Sequence, residues 1–245
     1  MRLPRIFIEQ PLAVGVKIQL DPAASHYVRN VLRLKPDMSI ALFNGQACCD
    51  YHSTLSFDGK KTLASIVSQS TNSITESQLD SEIIQGLSRS DHLDWMIQKT
   101  TELGVRRISI FNANHSQIPV KSNQLEKKHL HWLAVARKAC EQSGRQIPPQ
   151  VNFFDNIQQA LDGALGPNQF LLDFNGPRLG ALLQSAARAT RISILLGPEG
   201  GLSITEINHA HTAGFVSSQI GPRVLRTETA AITALAIAQS CWGDI

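Results

Sequence analysis

Several things are scarce in this chain of 245 residues, and each scarcity removes a class of function. It has four cysteines, three tryptophans and two tyrosines. Cys48, Cys49, Cys140 and Cys241 form no CxxC pair and have no His-rich spacing, which argues against a zinc site and for reduced thiols. The histidines are likewise isolated from metal-type partners, so no metal is expected. No apolar run approaches the roughly eighteen residues needed to cross a bilayer, and Met1-Arg2-Leu3-Pro4-Arg5 lacks the apolar core of a signal peptide. A cytoplasmic protein with no membrane association is expected. Neither GxGxxG nor GxxxxGK[ST] occurs, so neither a dinucleotide fingerprint nor a P-loop is present, and a nucleotide-dependent enzyme ranks last. Charge of one sign is also lacking, the net value being +3. It is unevenly placed: Lys and Arg number eight against five acids up to Asn72, and fifteen against fifteen from Ser73 onward.

A hydrophobic content of 42% and a charged content of 18% describe an ordinary globular protein. Up to about Val67 the pattern is of short runs separated by Pro, Gly, Asn and Asp turns: Arg5–Ile8, Val16–Leu20, Ser39–Phe43, Cys49–Leu55 and Thr62–Val67. Such spacing predicts a small β-barrel or sandwich. One helix is predicted within it, Ser25–Leu34, with Val28, Val31 and Leu32 inward and Arg29 and Arg33, four apart, on the outer face. Residues 68–73 read as a linker. Beyond it, strand and helix patterns alternate: strands at Ile83–Leu87, Val105–Phe111 and Phe170–Asp173, helices at Asp91–Leu103 and Asn123–Ser143. That alternation predicts an α/β domain with a mainly parallel sheet.

Two glycine turns near the C-terminus carry the most information. Ile192–Leu196 reads as a buried strand and runs into Gly197-Pro198-Glu199-Gly200-Gly201, where three glycines let the backbone approach a ligand closely. Ser203 and Glu206 make a capping box that starts a helix, and Gly214 ends it. Phe215–Ile220 is predicted as the next strand, Gly221-Pro222 breaks it, and Thr227 or Thr229 caps a last helix that is apolar around most of its circumference. Two turns at the carboxyl ends of strands imply one shared pocket. Arg223, Arg226 and Glu228 stand at its mouth, either as ligand-binding groups or as an ion-pair network that caps the helix.

The chain resembles the ribosomal small subunit methyltransferase E family of the SPOUT (α/β-knot) superfamily. The resemblance is carried by Arg5-Ile6-Phe7, His26–Leu34, Ile97–Val105, Ala139–Arg145, Leu195–Glu206 and Gly221–Ala230, in order along nearly the whole chain. It implies methylation of N3 of a uridine in 16S ribosomal RNA, with S-adenosylmethionine as cosubstrate and no metal. It further implies a PUA-like β-barrel over residues 1–72 that helps hold the RNA, a knotted domain over 73–245 containing a deep trefoil knot, and a homodimer formed through that domain. The donor cleft it implies is lined by Leu172, Leu196, Gly197, Pro198, Glu199, Gly200, Ile220, Gly221, Leu225, Arg226 and Thr227. The chemistry needs alignment of the nucleophile and loss of the N3 proton. Arg226 is expected to stabilise charge developing on a uracil oxygen, with Glu228 orienting it or accepting the proton. Arg29, Arg33, Arg89 and Arg223 are expected to contact RNA phosphates. Family members often carry a basic residue where His92 stands and an Arg where His115 stands. A non-enzymatic RNA-binding assembly factor of the same fold is the competing expectation.

Overall fold

The computed structural model describes residues 3–70, 76–117, 119–164 and 166–245. Packing separates two units, Met1–Glu76 with Cys140–Pro148, and Ser77–Ala139 with Pro149–Ile245.

In the first unit, β1 (Arg5–Phe7), β2 (Lys17–Gln19), β3 (Ser39–Phe43), β4 (Asp50–Asp58) and β5 (Lys61–Ser70) form a sheet in the order β1-β3-β4-β5-β2. β1 is parallel to β3 and the remaining pairs are antiparallel. Ile6, Leu20, Val28, Ile40, Leu42, Leu55 and Ile66 supply the core. Of the predicted linker, residues 68–70 extend β5, while 71–73, with the predicted domain boundary, lie outside the described residues. The prediction also left residues 140–148 to the C-terminal half, whereas they pack with the first unit. The reason is electrostatic. Buried Arg5 is paired with Asp50 at 2.8 Å and donates to the carbonyls of Cys140 (2.6 Å) and Arg145 (3.0 Å). Glu76 in turn accepts from the Arg145 guanidinium at 2.8 Å and from the backbone N–H groups of Gln146 and Ile147.

The predicted helix at Ser25–Leu34 is corrected. The α-helix α1 (Pro22–His26), capped by Asp21, passes into a π-helical turn at Tyr27–Val31, and Arg33 adopts a left-handed φ of 53°. Wider i→i+5 bonding, as in Leu32 N–H to Tyr27 O at 2.9 Å, destroys the alignment of residues four apart. Val31 is exposed rather than inward. Arg29 is corrected too. Its guanidinium donates to Thr62 Oγ1 (2.8 Å), Gly59 O (3.0 Å) and Lys61 O, and lies 4.2 Å over the Phe57 ring, so it clamps the β4–β5 turn instead of offering a free fork to phosphate. Arg29→Ala is expected to lower unfolding stability by roughly 1–2 kcal/mol in a denaturant titration, and to leave the salt dependence of RNA binding unchanged.

The second unit holds β6 (Asp80–Gly86), α2 (Ser90–Glu102), β7 (Arg107–Phe111), α3 (Ser122–Ser143, whose residues 140–143 belong to the first unit), β8 (Gln150–Phe154), α4 (Ile157–Asp162), β9 (Gln169–Leu172), α5 (Leu179–Ser185), β10 (Arg191–Leu196), α6 (Ile204–Thr212), β11 (Val216–Ser218) and α7 (Thr227–Trp242). Its six strands are parallel in the order β11-β9-β10-β6-β7-β8. Successive strand residues feed two cores, as the two-residue side-chain period requires. Ile83, Ile108, Ile192 and Ile194 pack with α2, α3, α5 and α7, and Ile84, Phe111, Leu171 and Leu195 with α4 and α6. The apolar character of α7 follows from this burial, with Ala231, Ala234, Leu235 and Ala238 fully enclosed. Among the described residues no helix is long and apolar enough to cross a membrane, and the four cysteines are free thiols.

Candidate functional site

Strand order reverses between β10 and β6: β7 and β8 extend the sheet to one side, β9 and β11 to the other. Ligands of open α/β sheets settle where such a reversal parts the loops at the carboxyl ends of the strands. A cavity of about 910 Å³ lies there. Its walls come from the segments after four adjacent strands: Arg89 and His92 after β6, Asp173 and Phe174 after β9, Gly197–Leu202 after β10, and Gln219, Ile220, Gly221 and Arg223–Thr227 after β11. All eleven residues predicted for the donor cleft line it, as do Arg89 and Arg223. Arg29 and Arg33 belong to the first unit.

The local sequence explains the walls. Gly201 at φ 72° closes a turn onto Pro198 O at 2.8 Å, and Gly221 at φ 142° turns the chain after β11, conformations that only glycine adopts without strain. A Cβ on Gly197 would stand 2.8 Å from the Gly201 and Leu202 backbones, so this glycine is required by the turn itself. The predicted capping box is present, Ser203 and Glu206 bonding each other's backbone N–H. The two loops are fastened together from beneath. Gln85 Nε2 lies 2.8 Å from both Gly197 O and Thr227 Oγ1, and Thr227 Oγ1 donates to Gly197 O at 3.0 Å. Sequence reasoning passed over Gln85; a lone amide at the end of an apolar strand was the available signal.

The polar groups at the mouth differ from expectation in one respect. No ion pair joins Arg226 to Glu228. Arg226 is exposed at the start of α7, and Glu228 is buried with its Oε2 lacking a hydrogen-bond donor, 3.7 Å from His92 Nδ1. The idea that Glu228 orients the Arg226 guanidinium is therefore corrected, because the carboxylate points to α2 instead. His92 Nδ1 lies 2.9 Å from Glu199 Oε1, which also accepts the Arg89 backbone N–H at 3.1 Å. Burial opposes the charge on Glu199, but the hydrogen bonds from the Arg89 backbone, its own backbone and His92 prevail and hold its carboxyl below the usual Glu range. Stabilisation from this group is thus present above the ordinary Glu pKa and lost as pH falls through the depressed value. The stability gap between wild type and Glu199→Gln is expected to close on acidification in thermal melts. His115 holds the same loop from outside, its Nδ1 3.2 Å from Gly200 O. Exposed Phe174 and Val224 add apolar rim that sequence reasoning did not name. Among the described residues no cluster of three or more His, Cys, Asp or Glu side chains could hold a metal ion.

Comparison with known proteins agrees with this geometry. The family described as RNA methyltransferase domain matches residues 75–239. A structure from Legionella pneumophila, described as a methyltransferase in complex with the bound cofactor SAM, is 30% identical with a TM-score of 0.92, covering all of both chains. A ribosomal RNA small subunit methyltransferase E from Neisseria gonorrhoeae bound to S-adenosyl methionine is 31% identical with a TM-score of 0.88, again over all of both chains. The ribosomal RNA small subunit methyltransferase E of Bacillus subtilis is 28% identical over 95% of this chain and 94% of its own. The chain belongs to the RNA methyltransferase family and, within it, to the ribosomal RNA small subunit methyltransferase E group.

Proposed function

We propose that the protein transfers a methyl group from S-adenosylmethionine to N3 of a uridine in 16S ribosomal RNA of the small subunit. The observation that carries this is the cavity at the strand-order reversal, closed by two glycine turns tied to each other through Gln85 and Thr227. Its chemistry fits the donor. Leu172, Leu196, Ile220 and Leu225 offer apolar surface to an adenosine, while the glycine turns leave main-chain groups uncovered for its polar edges. When bound, the donor supplies an activated methyl group on a sulfonium. The protein must then place the uracil and manage its N3 proton. Arg226, exposed and without an ion pair among the described residues, lines the cavity and is the group proposed to meet charge on a uracil carbonyl oxygen. Glu228, buried beside it in the first turn of α7, is the proposed proton acceptor, although it does not itself line the cavity.

Around this centre the remaining assignments follow from the family. The five-stranded first unit serves as a PUA-like barrel that helps hold RNA, the second unit carries a deep trefoil knot, and two copies pair through it in the cytoplasm. Half-exposed Ile232 and Ala236 on α7 support the pairing. Arg33, Arg89 and Arg223, all exposed or half-exposed, contact phosphates. Mass mapping of ribosomal RNA from cells with and without the gene tests the reaction. One N3-methyluridine in 16S RNA should vanish on deletion and return with the wild-type gene. An unchanged map, or loss of a different modification, overturns the assignment.

A further inference from the structure

Two acidic side chains, one on the first glycine loop and one on the helix that follows the second, meet at one imidazole. Glu199 comes from the loop after β10, Glu228 from the first turn of α7 directly after the second loop, and His92 from the first turn of α2. We propose that His92 in its protonated form is a positioning residue that locks the second loop against the first, so that affinity for the methyl donor falls as the imidazole loses its charge. This rests on the cavity being the donor site.

Glu199 is an acceptor only, since it takes the Arg89 N–H and its ionised form is favoured, so the hydrogen between it and His92 Nδ1 must sit on Nδ1. That single N–H is used by Glu199 at 2.9 Å. Glu228 Oε2, 3.7 Å from the same nitrogen and without a hydrogen-bond donor of its own, gains from His92 only through charge. Its side chain is 10% exposed, so an uncompensated carboxylate there is costly. With imidazolium present both acids face a cation. With neutral imidazole Glu228 keeps only the weak partial charge of the α7 N-terminus, and the simplest relief is for the start of α7 to move toward water, taking with it Ile220, Leu225 and Thr227 of the cavity wall.

The other charges near His92 do not replace it. Asp91, on the same helix, is a third carboxylate, 3.8 Å from Nε2 and itself exposed. Arg89 pairs with Asp91 at 3.7 Å and is 59% exposed. Arg223 and Arg226 line the same cavity, are exposed, and form no ion pair with Glu199 or Glu228 among the described residues.

The test is calorimetric titration of the full-length protein with S-adenosylhomocysteine, the demethylated product, between about pH 5.5 and 8.5, the span in which histidine changes charge. Wild-type affinity should fall at least about fivefold from the acid to the alkaline end, a modest coupling between two sites. His92→Lys, charged throughout, should hold the acid-side affinity at every pH. Glu228→Gln, which removes the buried charge, should also flatten the profile, and it serves as the second variant if His92→Lys does not fold. A pH-independent wild type, or either folded variant retaining the wild-type slope, overturns the proposal while leaving the donor site intact. Absence of binding to wild type at any pH overturns the donor-site assignment and this inference with it.

Discussion

Arg226→Ala is expected to slow the methyl-transfer step about 10²–10³-fold in single-turnover measurements on small subunits, the loss produced by removing one preorganised donor to a developing oxyanion. S-adenosylhomocysteine affinity should change far less than the rate, because the guanidinium, although it lines the cavity, is exposed at the start of α7 and is not part of the loop framework that Gln85 and Thr227 hold. Arg226→Lys should recover only part of the rate, since an ammonium keeps the charge but loses the planar fork. If Arg226→Ala keeps the rate while RNA affinity alone drops, the residue is a phosphate contact and the catalytic role is wrong.

The second large effect concerns a residue with no ligand contact. A methyl group on Gly86, at the end of β6, would stand 2.6 Å from Pro198 Cδ, 2.9 Å from Pro198 N and 3.2 Å from Ala113 Cβ. Two of the three are parts of a proline ring at the centre of the first glycine turn, so the turn itself must shift. Overpacking of this kind costs about 1–3 kcal/mol, and at about 2–4 °C per kcal/mol for a domain of this size the melting temperature of Gly86→Ala should drop by several degrees. Displacing Pro198 moves the cavity wall, so product affinity should fall by an order of magnitude or more. A variant that melts and binds like wild type would show that the turn is not seated on β6.

These cases separate what the sequence made legible from what it hid. The glycine turns, the capping box and the strand alternation are local and could be read directly, and the cleft residues that the family resemblance implied all line one cavity. The start of β6 was hidden because Asp80, Ser81 and Glu82 look like solvent-facing residues. Glu82 is in fact enclosed, accepting Ser109 Oγ at 2.6 Å and Ser193 Oγ at 3.0 Å from the strands on either side, a pairing that only the register reveals. The π-helical turn was hidden because side-chain periodicity assumes 3.6 residues per turn, and Tyr27–Val31 does not keep it. Gly86 was passed over, and His92 was noted only as a departure from the family's basic residue, for a shared reason. Their partners, Pro198, Glu199 and Glu228, lie more than a hundred residues away, and nothing in the neighbouring sequence marks the encounter.

The return of residues 140–148 to the first unit bears on how the gene can be divided. Severing the chain at the polar stretch near residue 72 would not release two self-sufficient pieces. The longer fragment would keep Glu76 with Arg145, but its nine-residue segment 140–148 would lose the Arg5 side chain that donates to the carbonyls of Cys140 and Arg145. The shorter fragment would expose the Arg5–Asp50 pair where that segment had sealed it. Trimmed expression clones should therefore aggregate, and supplying residues 140–148 in trans as a synthetic peptide would be the rational remedy for the shorter one.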